Sequence, residues 1–391
     1  MLTTTTAAVL EGPGRPFTLE EVELDDLRAD EVLVRMVAAG LCHTDLGVQA
    51  GHIPVPLPGV IGHEGAGVVE AVGPAVTRVA PGDSVALSFT SCGRCRWCRG
   101  GHPAYCATWL PANIFNNGTR PDGTPTIRRD GTALGGRFFG QSSLSARAVV
   151  DERSVVKVDS DLPAHLIAPL GCGIQTGAGT VLNVLRPEPG GTLAVFGTGA
   201  VGLAAIAAAA LSPLSAVIAI DLVDHRLDVA LELGATHRIN PATEDVAKAL
   251  DGITDGTGLD YAVDTTADMR VLRTAVDALG TLGRAAAVGA TAPGTELALD
   301  YQDLLVGRSV VGVTEGDADP ESLIPCSPDS TDRADCPSRR SSRPTRSARS
   351  TKPSRMPATA PRSSPSSCST PTDAFRAHHR AEPSPRTRGV T

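Results

Sequence analysis

TLAVFGTGAVGLAAIAAAAL, residues 192–211, is the stretch whose reading decides the fold. Its apolar run ends at Phe196 and reads as a buried strand, and the small residues from Ala200 to Leu211 read as a helix. Between them Gly197-Thr198-Gly199-Ala200-Val201-Gly202 spells G-x-G-x-x-G. That string carries meaning only between a strand and a helix, which is where it stands. Gly197 makes the turn, Gly199 admits a pyrophosphate to the backbone, and Gly202 lets helix and strand pack closely. Asp221 closes the next strand, 19 residues beyond Gly202. A carboxylate there accepts hydrogen bonds from an adenosine ribose and repels a 2′-phosphate, so NAD is expected rather than NADP.

Downstream the same alternation continues. AVIAID (216–221) is a second strand, HRLDVALELGA a second helix, and YAVDTT, RAAAVGA and SVVGV are further strands. Strand–helix repetition of this kind predicts a parallel, doubly wound sheet, a Rossmann-type cofactor domain over residues 174–313. Upstream, AAVLEG, FTLEEVEL, EVLVRMVAAG, GVVEAVG and DSVALSF alternate at strand period with Gly and Pro between them. These predict a barrel-like β-rich domain over residues 1–173, with a loop-rich stretch at 91–140. The fold class is therefore α/β with a β-rich partner, and 391 residues suit two domains.

The chain has nine cysteines, and six fall in two metal-like arrangements. Cys92, Cys95, Cys98 and Cys106 read C-x2-C-x2-C-x7-C, spacing with which four thiolates wrap a tetrahedral zinc. With no open position, that zinc is structural and holds the lobe 91–106. The second set is dispersed: Cys42 in GLCHTDLG, His63 and Glu64 in GHEGAG, and Cys172 in PLGCGIQTG. Two thiolates and an imidazole leave one position open on a second zinc, with Glu64 as an occasional or neighbouring ligand. Zinc with an open position acidifies an alcohol bound there. Asp45 is placed to orient the His63 imidazole, and Thr44 to pass the alcohol's proton outward. Two zinc ions per chain are expected.

The formal net charge of −8 conceals a split, because residues 326–391 carry 13 Lys+Arg against 5 Asp+Glu. The remainder is strongly acidic, which argues against nucleic acid as a partner. No run of about 18 apolar residues is present, so a membrane span is not expected. The N-terminus MLTTTTAAVLEG lacks a signal-peptide pattern, and thiols kept available for zinc fit a reducing, cytoplasmic setting.

Together these residues resemble the zinc-containing medium-chain alcohol dehydrogenases, from about Ala7 to about Pro325. The resemblance implies a GroES-like catalytic domain beside the Rossmann domain, with residues 314–325 beginning the return to the first. It also implies that His43 contacts the cofactor pyrophosphate, that Thr176 and Val201 pack on the nicotinamide, and that Arg226 lies near the adenosine ribose. Many members carry a relay histidine five residues after the first ligand cysteine, where this chain has Gly47. GGRFFGQSSLSARAVV and APLGCGIQTGAG resemble the aryl-alcohol (benzyl-alcohol) subgroup, implying oxidation of a primary aromatic alcohol to the aldehyde with NAD. A broad aliphatic or allylic alcohol dehydrogenase is the alternative. The resemblance further implies a homodimer or homotetramer, with strands near Ser309–Val313 pairing across a dimer.

After GVTEGDADPESLIP the composition changes. Residues 326–391 hold 14 Ser and 10 Pro, with only Met356, Phe375 and Val390 as large apolar residues, and so predict a disordered tail. PTRSARSTKPSRM (344–356), given GC-rich codons and read one nucleotide out of phase, can encode TYPLGEINEAFED, which resembles the family's ending. SSPSSC can likewise conceal KPVVV. A frameshift near Pro325 is the expectation, and with it the second alternative of an inactive protein that still binds zinc and NAD.

Overall fold

The computed structural model describes residues 3–115, 118–159 and 161–324. The tail, and the frameshift expected in it, lie outside the described residues. Among those described, no helix is long and apolar enough to cross a membrane.

Six parallel strands form one sheet in the order His237–Ile239, Ala216–Ile220, Thr192–Phe196, Leu259–Asp264, Leu279–Ala287, Ser309–Gly312. Period-two alternation sends Leu193 and Val195 to one face, against Ala205, Ile206 and Leu227. Ala194 and Phe196 go to the other, against Leu250, Leu272 and Ala275. Helices cover both faces, which is why these strands read as unbroken apolar runs. The winding direction reverses between Thr192–Phe196 and Leu259–Asp264, which pair in parallel. A doubly wound sheet binds its ligand in the crevice at such a reversal, and the Gly197 turn opens there.

The β-rich part consists of two five-stranded antiparallel sheets. One runs Gly59–Val60, Thr3–Leu10, Phe17–Leu24, Ile127–Arg129, Thr132–Leu134. The other runs Val155–Lys157, Ser84–Leu87, Glu64–Val72, Glu31–Gly40, Arg147–Asp151. The hairpin at 127–134 lies within the stretch expected to be loop. Its strands are three residues each, too short to show an alternation.

A helix crossing brings the two halves together. Gly173–Gly179 packs on Ala200–Ala209, the helix that follows the glycine turn. A Cβ on Gly177 would lie 2.0 Å from the Val201 carbonyl oxygen, so only glycine permits this approach. The packing brings Cys172, at the start of the first helix, to the side of the nucleotide turn.

Candidate active site

Cys42 stands at the N-cap of the helix His43–Gln49. Three residues on, Asp45 accepts the Cys42 N–H with Oδ2 at 2.9 Å and meets His63 Nδ1 with Oδ1 at 3.0 Å. His63 closes the turn before the strand Glu64–Val72, and Cys172 lies at the junction of two short helices. One donor atom from each of Cys42, His63 and Cys172 falls within 4.8 Å of the others. Asp45 and His63 are fully buried, and Nε2 of His63 has no hydrogen-bond partner. A buried imidazole with Nδ1 bound to a carboxylate and Nε2 facing two thiols is the donor set of a tetrahedral zinc.

The electrostatics agree with a cation at this point. The Cys42 thiol is lowered to about 3, chiefly by its hydrogen bond from Cys172 and then by His63, against the cost of burial. Cys172 is correspondingly raised by that bond and by burial. Burial would lower His63, yet the charge and hydrogen bond of Asp45, with Cys42, lift it well above its ordinary value. The cluster thus concentrates negative charge around Nε2, and a divalent cation satisfies it.

Glu64 stands outside the cluster of three. Its carboxyl, raised mainly by burial, is bonded by the Gly173 backbone. Thr44 lies beside the cluster, its Oγ1 at 3.8 Å from Cys42 Sγ. His43 is exposed, and Gly47 faces Ile53. Thr176 is buried one turn beyond Cys172, and its backbone N–H donates to the Cys172 carbonyl.

The second cluster is Cys92, Cys95, Cys98 and Cys106, again with donor atoms within 4.8 Å of one another. Backbone N–H groups of Cys92, Cys95 and Cys98 point at sulfurs of Cys106, Cys92 and Cys95 at 3.3–3.5 Å. Such bonds favour thiolates, and Cys95 is lowered to about 6, first by the Cys98 backbone. The set offers four sulfurs and no open side.

In the nucleotide turn Gly197 has φ +87°, and a Cβ on Gly202 would sit 1.9 Å from the Gly197 oxygen. A Cβ on Gly199, by contrast, would meet nothing within 4 Å, which leaves the backbone open to a phosphate. Asp221 accepts the Thr198 N–H at 2.7 Å and the Val223 N–H at 2.9 Å. Arg226 lies 3.7 Å from the same carboxylate and is half exposed.

The sequence reading missed the packing around His63. Phe139, itself at φ +54°, stacks on the imidazole at 4.5 Å, and Phe138 meets it edge-on at 5.5 Å. Trp109 contacts Phe139, and Phe89 contacts Trp109. Gln141 is fully buried and donates to the carbonyls of His63 and Ser88 at 3.0 Å each. The adjacent Phe-Phe in GGRFFGQSS was the available signal, but a lone glutamine has none.

Known proteins carry the same combination. The Alcohol dehydrogenase GroES-like domain matches residues 28–160, and the Zinc-binding dehydrogenase family matches residues 200–327. Geraniol dehydrogenase of Castellaniella defragrans is 44% identical over 322 residues, 82% of this chain and 85% of the relative. This chain is a zinc-dependent alcohol dehydrogenase of the medium-chain family. Benzyl alcohol dehydrogenase from Acinetobacter calcoaceticus has a similar solved structure, at 43% identity and TM-score 0.78, covering 83% of this chain and 88% of that one. An alcohol dehydrogenase zinc-binding domain protein from Burkholderia ambifaria superposes with TM-score 0.80 at 47% identity, with the same coverage. The dehydrogenase accordingly combines the GroES-like and Rossmann-type folds expected of it.

Proposed function

We propose that this dehydrogenase oxidises a primary benzyl-type alcohol to the aldehyde and passes the hydride to NAD. The observation that carries the reading is the triad of half-buried Cys42 with buried His63 and Cys172, one helix crossing away from the nucleotide turn. These three residues would hold a zinc ion, which when bound supplies a Lewis acid that lowers the pKa of the alcohol. Glu64 serves as a neighbouring carboxylate, and Cys92, Cys95, Cys98 and Cys106 hold the structural zinc. Thr44 takes the alcohol's proton, and Gly47 puts no imidazole at the position from which a histidine would carry it onward. The backbone at Gly197, Gly199 and Gly202 would hold the pyrophosphate together with His43, and Thr176 and Val201 would pack on the nicotinamide.

NAD is favoured over NADP because Asp221 presents a carboxylate where the 2′-phosphate of NADP would come. Each of its oxygens accepts one backbone N–H and retains capacity for a ribose hydroxyl. Arg226, 3.7 Å from that carboxylate, would lie beside the same ribose. An aromatic substrate is supported by the apolar surroundings of the triad, where Phe89, Phe138 and Phe139 pack with partly buried Val55, Leu57, Trp109 and Ile114. The likeness to a geraniol dehydrogenase favours a second reading, allylic alcohols, by the same chemistry. The six described thiols are free, in keeping with a reducing cytoplasmic compartment. Assembly into a homodimer or homotetramer is supported by the edge position of Ser309–Gly312, near exposed Leu282 and Leu305.

The test is cofactor reduction followed by absorbance, with benzyl alcohol, geraniol and ethanol, each offered NAD and NADP. Benzyl alcohol with NAD should give the highest kcat/KM. A preference for geraniol would replace the first reading by the second, and a preference for NADP would refute the role given to Asp221. Binding of zinc and NAD with no turnover of any alcohol would leave an inactive binding protein.

Asp45→Asn provides a separate check on the triad. The amide matches the carboxylate in size but removes the charge that orients His63, and such changes cost about 10- to 100-fold in metal affinity or activity. Zinc content after dialysis and kcat should fall together, with the melting temperature little changed. Unchanged values in both would show that Asp45 only packs.

A further inference from the structure

One buried carboxylate has no part in the chemistry above. Glu315 is 8% exposed and lies just after the last strand of the parallel sheet, Ser309–Gly312. Its φ is +50°, and Gly316 and Asp317 follow at +67° and +47°. Successive left-handed residues persist only where the surroundings over-determine them, and such strain gathers at functional sites. Here Asn183 Nδ2 donates to the carbonyls of Gly316 and Asp317 at 3.1 and 3.2 Å. His102, from the four-cysteine lobe, meets the Asp317 carboxylate at 2.8 Å. A Cβ on Gly179 would lie 2.3 Å from the Gly316 oxygen, so the turn is pressed onto the helix Gly173–Gly179.

The turn brings Glu315 Oε2 within 2.9 Å of Gln175 Nε2, which donates to it. The same nitrogen lies 2.7 Å from the Gly171 carbonyl and 2.8 Å from Ser88 Oγ, and Ser88 Oγ donates to Gly171 at 2.7 Å. Gly171 immediately precedes Cys172 and Gln175 stands three residues after it, so one amide group ties both flanks of the thiol's turn. The amide has two N–H donors for these acceptors, and its own Oε1 has no partner. The Glu315 carboxylate is the charged acceptor of the three, and it adds to the Gly171 carbonyl and the Ser88 hydroxyl in keeping Nε2 facing inward against a flip of the amide. Beyond Ser88 the bonds continue through Gln141 to the His63 carbonyl.

We propose that Glu315 is a positioning residue for Cys172, acting through the Gln175 amide. The proposal rests on the reading of Cys172 as a zinc ligand. It is tested on the full chain by zinc content, rate of zinc loss to a chelator, melting temperature, and kcat and KM. Glu315→Ala should lose its triad zinc about tenfold faster and lose kcat in proportion, with the KM for NAD and the lobe zinc unchanged. Glu315→Gln, whose amide oxygen accepts the same bond, should recover the rate to within about threefold. Zinc loss from Glu315→Ala at the unmodified rate would overturn the proposal, as would a Glu315→Gln as impaired as the alanine variant. Should Glu315→Ala not fold, Gln175→Met with Glu315→Gln must show the same faster loss, and its absence overturns the proposal equally. An unmodified chain that holds only the lobe zinc would refute both the triad and the role of Glu315.

Discussion

Cys172→Ala is expected to lower alcohol turnover by about a thousandfold or more, with cofactor binding retained. The figure follows from a Lewis acid worth several kcal/mol of transition-state stabilisation, at about 1.4 kcal/mol per tenfold in rate. Cys172 is the cleanest of the three donors to remove. Replacing His63 would also strip the stacking partner from Phe139 and the hydrogen bond from Asp45. Replacing Cys42 would disturb the cap of the helix His43–Gln49. Cys172 makes neither contact, and the loss of one sulfur leaves only a small void. The measurements are kcat/KM for the preferred alcohol, zinc per chain, and NAD binding by fluorescence. Zinc should fall from two to one, and NAD affinity should hold. Turnover within tenfold of the unmodified chain would refute a catalytic zinc at this triad.

The sequence revealed most about those parts of the molecule where chemistry forces residue type and spacing together. The turn at Gly197 must carry glycines because a Cβ at Gly202 would collide with the Gly197 oxygen, and the fingerprint could be read for that reason. The four-cysteine lobe was legible because its ligands lie within one short loop. Cys42, His63 and Cys172 lie far apart in the chain, and only their ligand chemistry and the family resemblance joined them before the structure did. The supporting residues gave no such signal. Gln141, Gln175, Ser88 and Glu315 work by position, and a buried glutamine looks like a surface one in a string of letters. Gly177 looked like any helix glycine until the crossing helix was placed 2.0 Å from its missing side chain. Glu64, read as an occasional or neighbouring ligand, lies outside the group of three but close enough to feel the charges of Cys42 and His63.

The same lesson governs the stability of the β-rich half, where Arg120→Met is expected to cost about 3–5 kcal/mol in urea unfolding. Arg120 is 1% exposed, and its guanidinium makes paired bonds of 2.8 Å to both oxygens of Glu31. It also reaches Asp25, the Pro125 carbonyl and the Asp26 carbonyl. Methionine fills much of the volume but leaves Glu31 buried with one remaining cationic partner, Arg137 at 2.8 Å. Burial would raise the Glu31 carboxyl, yet the hydrogen bonds and charge of Arg120, with Arg28 and Arg137, hold it below its ordinary value of 4.5. The stabilisation is therefore fully present above that value and is lost as pH falls through the lowered folded value. The gap between Arg120→Met and the unmodified chain should be full near neutrality and should narrow as the medium becomes more acid than 4.5. A gap that is small at neutral pH, or that widens in acid, would show that Arg120 contributes packing alone. Arg137 also carries the effect to the site, for it immediately precedes the Phe138–Phe139 pair that packs on His63. Loosening the Glu31 cluster should thus weaken zinc retention at the triad before it unfolds the domain.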